Sequence, residues 1–182
     1  MSTAYRFTEN EVPHFITMTI VEWMDLFNRQ KYKDILIDNL RFCIKEKGLN
    51  VHAYVIMSNH VHMIVSTHEL KELSGLIRDF KRYTAKVMYE TLKSDTQESR
   101  RNWMLWIIES QGERSSSNEV MKIWRHENHP VPLYSEKLIN QRLKYIHDNP
   151  VRAGICRSPV DYVYSSAASY SGEPGLIPLS FL

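Results

Sequence analysis

Hydrophobic residues follow two different periods along the chain, and each period predicts its own kind of element. Runs rich in β-branched and aromatic residues predict strands at His14–Val21, Val51–Met57 and His60–Thr67. Only Ser58 and Asn59 separate the second run from the third, which predicts a tight hairpin.

Apolar residues at helical spacing predict four helices. They are Lys31–Lys47, Leu70–Lys93, Arg100–Glu109 and a helix that begins after an N-cap at Ser135 and runs to about Asp148. Gly48 is placed to end the first helix as its C-cap. Pro150 is expected to stop the last helix, because proline cannot continue a helix and disfavours the helical conformation at Asn149 before it.

The remaining segments complete the expected architecture. Val120–His126 predicts a further strand, Ser94–Ser99 a polar break and Gly112–Asn118 a flexible loop. No internal repeat or linker is visible, so residues 1–182 are expected to form one domain. The order β-α-β-β-α, followed by the later elements, predicts an α+β fold in which helices pack on an antiparallel sheet.

Composition narrows the class of protein only a little. Hydrophobic residues make up 43% and charged residues 24% of the 182 positions, as in an ordinary globular protein. A net charge of +2 neither demands nor excludes nucleic acid as a partner. Cys43 and Cys156 are too few for a disulfide framework or a zinc knuckle. Residues 1–12 lack the apolar core of a signal peptide and no run is long enough to cross a bilayer, so a cytoplasmic protein without a membrane partner is expected.

His60 and His62 occupy alternate positions of the third predicted strand, so both imidazoles lie on one face of it. Val61, Met63 and Val65 lie on the other face and suit a core. Two neighbouring imidazoles can chelate a divalent ion such as Mn²⁺, Zn²⁺ or Fe²⁺ with a third ligand from elsewhere. On these residues alone, a chance pair of surface histidines is an equally open interpretation.

A second set of polar residues lies on the last predicted helix. Tyr145 is about 100° around the helix from the apolar stripe that includes Ile146. Its neighbours at i−4 and i+4 are Gln141 and Asn149. A tyrosine between two carboxamides is placed like a presented group, although most tyrosines are packing residues with a polar tip.

The two sets together fit one reaction class. A phenol has a reference pKa near 10 and is a poor nucleophile until it is activated. A cation held by His60 and His62 can orient a phosphodiester for in-line attack by Tyr145. Asn149, one helical turn beyond the tyrosine, can supply a neutral oxygen ligand.

Three segments resemble motifs of a known family. Ala53–Val65 resembles the His-hydrophobic-His motif of the single-tyrosine HUH transposases. Tyr145–Gly154 is similar to the tyrosine motif of their REP-associated branch. Asp161–Ser166 resembles the aspartate, aromatic and paired serines with which that branch often ends. The motifs occur in the family's order and cover much of the chain from Phe15 to Ser166.

The resemblance implies a fold and a chemistry. The fold would be α+β, with a ferredoxin-like or RRM-like antiparallel sheet, helices packed on one face and a C-terminal helix that carries the tyrosine. His60, His62 and Asn149 would hold Mg²⁺ or Mn²⁺, and Tyr145 would be the nucleophile. The family nicks single-stranded DNA near hairpins or palindromic repeats through a 5′-phosphotyrosine link and leaves a free 3′-hydroxyl, which can later rejoin the strand.

Two departures from the family pattern are visible. Ser58 stands where the family commonly has proline, and Ser94–Asn118 has no counterpart in it. Within that insertion, the run Trp103–Ile108 is expected to serve as core or as a dimer contact, so both a monomer and a homodimer stay open.

Basic residues on the long helix suggest where DNA would lie. Arg78, Arg82 and Lys86 recur every four residues with Lys81 beside them, a ridge that can neutralise phosphates or be an ordinary solvated face. Trp124, Arg125 and His126 combine an aromatic ring with positive charge, as single-strand binders do, although ordinary packing explains them equally well. Tyr83 is the alternative nucleophile, and His126 with His129 the alternative metal pair.

Two other functions compete with strand transfer. In the first, His60 and His62 hold zinc and water is the nucleophile of a hydrolase. In the second, the same sheet is a domesticated module that binds nucleic acid without cutting it. Replacement of Tyr145 separates these hypotheses, because only strand transfer requires its hydroxyl.

Overall fold

The computed structural model describes residues 11–67, 72–115 and 120–182. The elements in chain order are β1 (His14–Thr19), α1 (Gln30–Lys47), β2 (Leu49–Ile56), β3 (His60–Thr67), α2 (Leu73–Ser94), α3 (Arg101–Glu113), β4 (Val131–Pro132), α4 (Glu136–Arg152) and α5 (Ala167–Tyr170). Most of the predicted N-terminal segment (residues 1–10), the predicted helix start at Leu70 and the loop residues Ser116–Asn118 lie outside the described residues.

The strands form one antiparallel sheet in the order β2-β3-β1-β4. β3 therefore lies between β2 and β1, and His62 pairs with Thr17 of β1 on one side and with Val55 of β2 on the other. The hairpin predicted at Ser58 and Asn59 closes β2 onto β3. Together with the helices, this sheet confirms the predicted α+β fold class.

The two faces of the sheet are covered by different helices. Ile16, Met18 and Met63 point to one face and are fully buried. Tyr54 shares that face and lies close enough to Arg41 of α1 for the two side chains to interact electrostatically. α1 packs against β2 and α2 there, whereas α4 packs against β2 and β3 on the opposite face, which carries His62.

Local signals in the sequence account for several element boundaries. Gly48 ends α1 in the left-handed conformation, with φ of 70°, as its position predicted. The Ser135 side chain accepts a hydrogen bond from the Leu138 N–H at 3.3 Å and so caps α4. On α3, Met104 and Ile108 are buried while Trp106 is exposed, so only one face of the predicted run joins the core.

The predicted end of the tyrosine helix is wrong. α4 does not stop near Asp148 but includes Asn149 and Pro150 and ends at Arg152. Proline removes one helical hydrogen bond, and this loss is small when only the last turn follows. The helical hydrogen bonding continues beyond the Pro150 ring, because the Ala153 N–H donates to the Asn149 carbonyl at 3.0 Å.

The predicted strand at Val120–His126 is also wrong. Trp124 forms a single isolated bridge with Ile20, and no ladder continues from it. The backbone N–H groups of the segment instead donate to two different elements, at the carbonyls of Ile108 and Thr19. Ile123 and Trp124 are buried, but the backbone bonds to two different elements in turn and does not run along one strand. None of the helices in the described ranges is long and apolar enough to cross a membrane.

Candidate active site

β3 brings the two histidines together. His60 and His62 are two residues apart on the strand, so they share one face, and their ring centroids lie 4.7 Å apart. The hairpin before them is closed by the Met57 N–H, which donates to the His60 carbonyl at 2.8 Å. His60 is half-buried at the strand end, whereas His62 is 6% exposed.

Neighbouring side chains hold His62 in one orientation. Its ring stacks on Phe15 with centroids 5.3 Å apart, and its Nδ1 lies 2.9 Å from the Thr17 hydroxyl. Burial, with the positive charges of His60 and Arg142 nearby, lowers the pKa of His62 to about 3. The ring is therefore neutral at physiological pH, which is the form that binds a metal ion.

His60 is oriented by Asn59. The Asn59 Nδ2 donates to the Trp23 carbonyl at 3.1 Å, which turns the Asn59 Oδ1 toward His60. His60 Nδ1 lies 2.7 Å from that oxygen, so it carries the proton and donates. Both imidazoles thus use Nδ1 within the protein and keep Nε2 for a ligand. Burial also lowers the pKa of His60.

α4 places Tyr145 against His62 of this pair. The Tyr145 hydroxyl is 3.5 Å from His62 Nε2, and the two ring centroids are 5.2 Å apart. Phe15 touches both rings, edge-on to the tyrosine with centroids 6.0 Å apart. The two motifs, separated by more than eighty residues, therefore meet within one chain.

Asn149 lies in the same cavity as the tyrosine. A cavity of about 320 Å³ is lined by Tyr145, Asn149, Arg152 and Ala153. Among the residues that the structure describes, no three His, Cys, Asp or Glu side chains cluster in a way that could hold a metal. A cation at the histidine pair would thus need neutral oxygen ligands, such as the Asn149 amide, a phosphate or water.

Two arginines, not predicted from the sequence, add positive charge to the site. Arg152 lies over the Tyr145 ring, 5.9 Å from its centroid, and Arg142 lies over the Phe15 ring at 4.8 Å. The Arg142 Nε is buried and has no hydrogen-bond partner among the described residues. Both arginines share a helix face with Tyr145, at i−3 and i+7, and this spacing is the signal that could have identified them.

The C-terminal segment fixes the position of α4. Ser166 Oγ lies 2.9 Å from His147 Nε2 on α4 and also accepts from the Tyr54 N–H of β2 at 3.0 Å. The Tyr162 hydroxyl donates to the Ile56 carbonyl at 2.7 Å. The segment that resembles the family's closing motif therefore ties the tyrosine helix to the sheet that carries the histidines.

The predicted basic ridge lies away from the tyrosine. Arg78, Arg82 and Lys86 are exposed on α2, which packs against α1 and α3, whereas α4 packs against β2 and β3. Arg78 and Arg82 both pair with Asp79, which reduces the positive charge of the ridge. Tyr83, the alternative nucleophile, lies on this same helix and is exposed.

Two of the residues predicted to contact DNA, Lys81 and Trp124, make hydrogen bonds within the protein. Lys81 does not extend the ridge, because its Nζ donates to the Arg125 and His126 carbonyls and to Asn128 Oδ1 at 2.6 to 3.1 Å. Burial lowers its pKa to about 8. Trp124 is 5% exposed and its indole N–H donates to Thr84 Oγ1, so the ring presents no face for a base.

The two residues that follow Trp124, Arg125 and His126, are exposed. Arg125 lies over the Trp23 ring, 5.4 Å from its centroid, and its N–H donates to the Thr19 carbonyl at 2.8 Å. Thr19 pairs with His60, so Arg125 lies at the histidine end of the sheet. His126 and His129, the alternative metal pair, are both exposed.

The comparisons with known proteins identify a family and a fold. The model of one protein family, the IS200-like transposases, matches residues 11–110, more than half of the chain. The match includes the histidine pair and stops before Tyr145. No curated protein matches the chain.

Two solved structures are similar to it. One is a REP-associated tyrosine transposase bound to a REP hairpin, with 16% identity and a TM-score of 0.64 over 99% of this chain and 92% of that one. The other is described as a candidate transposase from Deinococcus radiodurans, with 15% identity and a TM-score of 0.45 over 81% of this chain and 97% of that one. The first shares the fold. By its sequence, the chain belongs to the family of IS200-like transposases and acts in DNA transposition.

Proposed function

We propose that the protein nicks and rejoins single-stranded DNA through a 5′-phosphotyrosine intermediate. The observation that carries the proposal is the 3.5 Å distance between the Tyr145 hydroxyl and His62 Nε2. This distance supports Tyr145 as a nucleophile that acts beside a side chain able to bind a metal ion. The packing of the helices disfavours Tyr83 as the nucleophile, since α2 packs against α1 and α3, whereas the tyrosine helix packs against the strand that carries the histidines.

The side chains fit a divalent metal, Mg²⁺ or Mn²⁺. His60 and His62 would contribute their Nε2 atoms, and Asn149 a neutral oxygen from the cavity beside Tyr145. When bound, such an ion neutralises charge on a phosphodiester and orients it for in-line attack. The hydrogen bonds at Nδ1 of both histidines support this assignment, because they engage Nδ1 of each ring and leave Nε2 as the nitrogen for a metal ion.

The chain's own residues would perform the transfer. The Tyr145 oxygen forms a bond to phosphorus, the bond from phosphorus to the 3′-oxygen breaks, and the phenolic proton passes through solvent to that oxygen. Arg142 and Arg152 would place positive charge beside the phosphate. In the reverse direction the 3′-hydroxyl attacks the phosphotyrosine, so strands rejoin without a high-energy cofactor.

We further propose hairpin or palindromic DNA as the substrate. The fold likeness to a REP-associated tyrosine transposase bound to a REP hairpin supports this substrate and that branch of the family. Residues 1–182 would act as one domain, as a monomer or a homodimer.

A covalent-adduct assay tests the proposal. The protein is incubated with Mg²⁺ or Mn²⁺ and a labelled single-stranded hairpin library, and denaturing gels are searched for a shifted band. We expect an adduct from the wild type, none from Tyr145→Phe or His62→Ala, and an unchanged yield from Tyr83→Phe as the matched control. Nicking that survives in Tyr145→Phe would establish the water-using hydrolase instead. Hairpin binding without nicking or metal dependence would establish the non-catalytic module.

A further inference from the structure

Two consecutive residues beside the histidine pair adopt an unusual backbone conformation. Glu22 and Trp23 have φ values of 51° and 54°. The left-handed region is unfavourable for residues with a Cβ, and such residues persist only where the surrounding structure enforces them. Here the Trp23 carbonyl accepts from Asn59 Nδ2, and the Glu22 carboxylate accepts from Gln111 Nε2 at 2.8 Å.

This conformation turns a large aromatic ring out of the core. Trp23 is 56% exposed, whereas Val21 and Met24 on either side of it are each 3% exposed. The Arg125 guanidinium lies over the ring, 5.4 Å from its centroid. An exposed indole beside a cation is the combination on which unpaired bases stack while their phosphates are neutralised.

Asn59 connects this ring to the metal-binding end of β3. One amide of Asn59 donates to the Trp23 carbonyl and accepts from His60 Nδ1. Arg125 is anchored at the same edge, since its N–H donates to the Thr19 carbonyl and its own carbonyl accepts from the buried Lys81 ammonium. Two of the acidic groups nearby are already engaged: Asp25 pairs with Arg100, and the Glu22 carboxylate is bonded to Gln111.

We propose that Trp23 and Arg125 form a stacking platform for one unpaired base that flanks the scissile phosphate. The inference rests on the proposed function, because it places that phosphate at His60 and His62. Trp23 would bind the base and orient the strand, and Asn59 would couple the occupied platform to the His60 ring.

Binding measured without cleavage tests the platform. Each variant is made in the full chain carrying Tyr145→Phe, and the anisotropy of a labelled single-stranded hairpin oligonucleotide reports its Kd. We expect Trp23→Ala to weaken binding about fivefold to hundredfold, and Trp23→Phe to bind with intermediate affinity. Trp106→Ala, which removes an indole 63% exposed on α3, is the matched control and should bind as the parent does.

Oligonucleotides with a single abasic position identify the stacked base. One position near the cleavage site should weaken binding to the parent, and Trp23→Ala should be insensitive to the same lesion.

A Mn²⁺ titration of Trp23→Ala should match that of the parent, because the platform acts on the strand and leaves the histidines in place. Equal DNA affinity of Trp23→Ala and the parent would overturn the platform, as would an abasic effect that survives in Trp23→Ala. If Trp23→Ala weakens binding although the wild type forms no DNA adduct, the platform is supported and only the proposed nicking reaction is overturned.

Discussion

At the scale of single residues, the site depends on which nitrogen of each imidazole is free. The alternation of β3 predicts that His60 and His62 share a face, and the structure confirms it. The partners at Nδ1 could not be predicted in the same way. Thr17 reaches His62 through the register of β1 against β3, and Asn59 is oriented by the carbonyl of Trp23. Such contacts depend on strand pairing, which the sequence does not display.

The Thr17 hydroxyl offers a clean test of this orientation. When Nε2 of His62 binds a metal, Nδ1 must donate, and Thr17 Oγ1 is the acceptor at 2.9 Å. Thr17→Val keeps the shape of the side chain and removes the acceptor, so we expect Mn²⁺ affinity to fall about tenfold to hundredfold. Thr17→Ser, which retains the hydroxyl, should bind Mn²⁺ nearly as the wild type does. Calorimetric or EPR titration measures both, and equal affinity of Thr17→Val and wild type would contradict the assigned role.

His147 makes folding stability depend on pH. Burial lowers its pKa to about 4, while the unfolded value is near 6.5. Its stabilising effect is therefore fully present above pH 6.5 and is lost as the pH falls through about 4. His147→Gln retains a donor toward Ser166 and cannot titrate. Between pH 6.5 and 4, we expect this variant to take up fewer protons on unfolding than the wild type does, with a difference of up to one proton. The pH dependence of the free energy of unfolding, from urea titrations at several pH values, measures this difference. An unchanged pH dependence would show that His147 titrates normally in the fold.

At the scale of elements, α4 shows how tertiary context changes a local rule. Pro150 predicted a helix end, yet the helix continues to Arg152 and closes with a Schellman motif. The Ile155 N–H donates to the Pro150 carbonyl, and the Gly154 N–H to the Val151 carbonyl, each at 2.9 Å. The result keeps Asn149 helical, one turn beyond the tyrosine and in the same cavity. The predicted helix and its N-cap were correct, because they depend on neighbours in the sequence.

The glycine of this motif has a predictable energetic effect. Gly154 has φ of 71°, and a Cβ added there meets no atom within 4 Å, so a substitution introduces backbone strain and no clash. We expect Gly154→Ala to lower the free energy of unfolding by about 1 kcal/mol. Gly75→Ala is the opposite control, because Gly75 lies in α2 with ordinary φ and an added Cβ would make only ordinary van der Waals contacts at 3.8 Å, so the substitution should stabilise the protein by about 0.5 kcal/mol. Urea denaturation measures both. If Gly154→Ala left the free energy of unfolding unchanged, the helix end would have rearranged at little energetic cost.

At the scale of the whole molecule, the site forms where three distant parts of the chain meet. The sheet carries the histidines, α4 carries Tyr145, and the segment around Ser166 ties the two together. The order of elements predicted the sheet, and the family motifs predicted which residues matter. The face on which α4 packs was not predictable, because it depends on side-chain contacts between segments far apart in sequence.

The contact of Tyr145 with His62 inside one chain predicts an active site formed in cis. A mixture of Tyr145→Phe and His62→Ala proteins contains no chain with both groups, so we expect it to yield no DNA adduct under conditions in which wild type does. If the tyrosine helix instead served the histidines of a second chain, the Tyr145→Phe protomer would supply intact histidines and the His62→Ala protomer an intact tyrosine. Adduct would then reappear on mixing, attached to the His62→Ala chain. A mass tag on one variant identifies that chain on a denaturing gel. Dilution of wild type provides the second measurement, since a cis site should give an adduct yield per chain that is independent of protein concentration at saturating DNA.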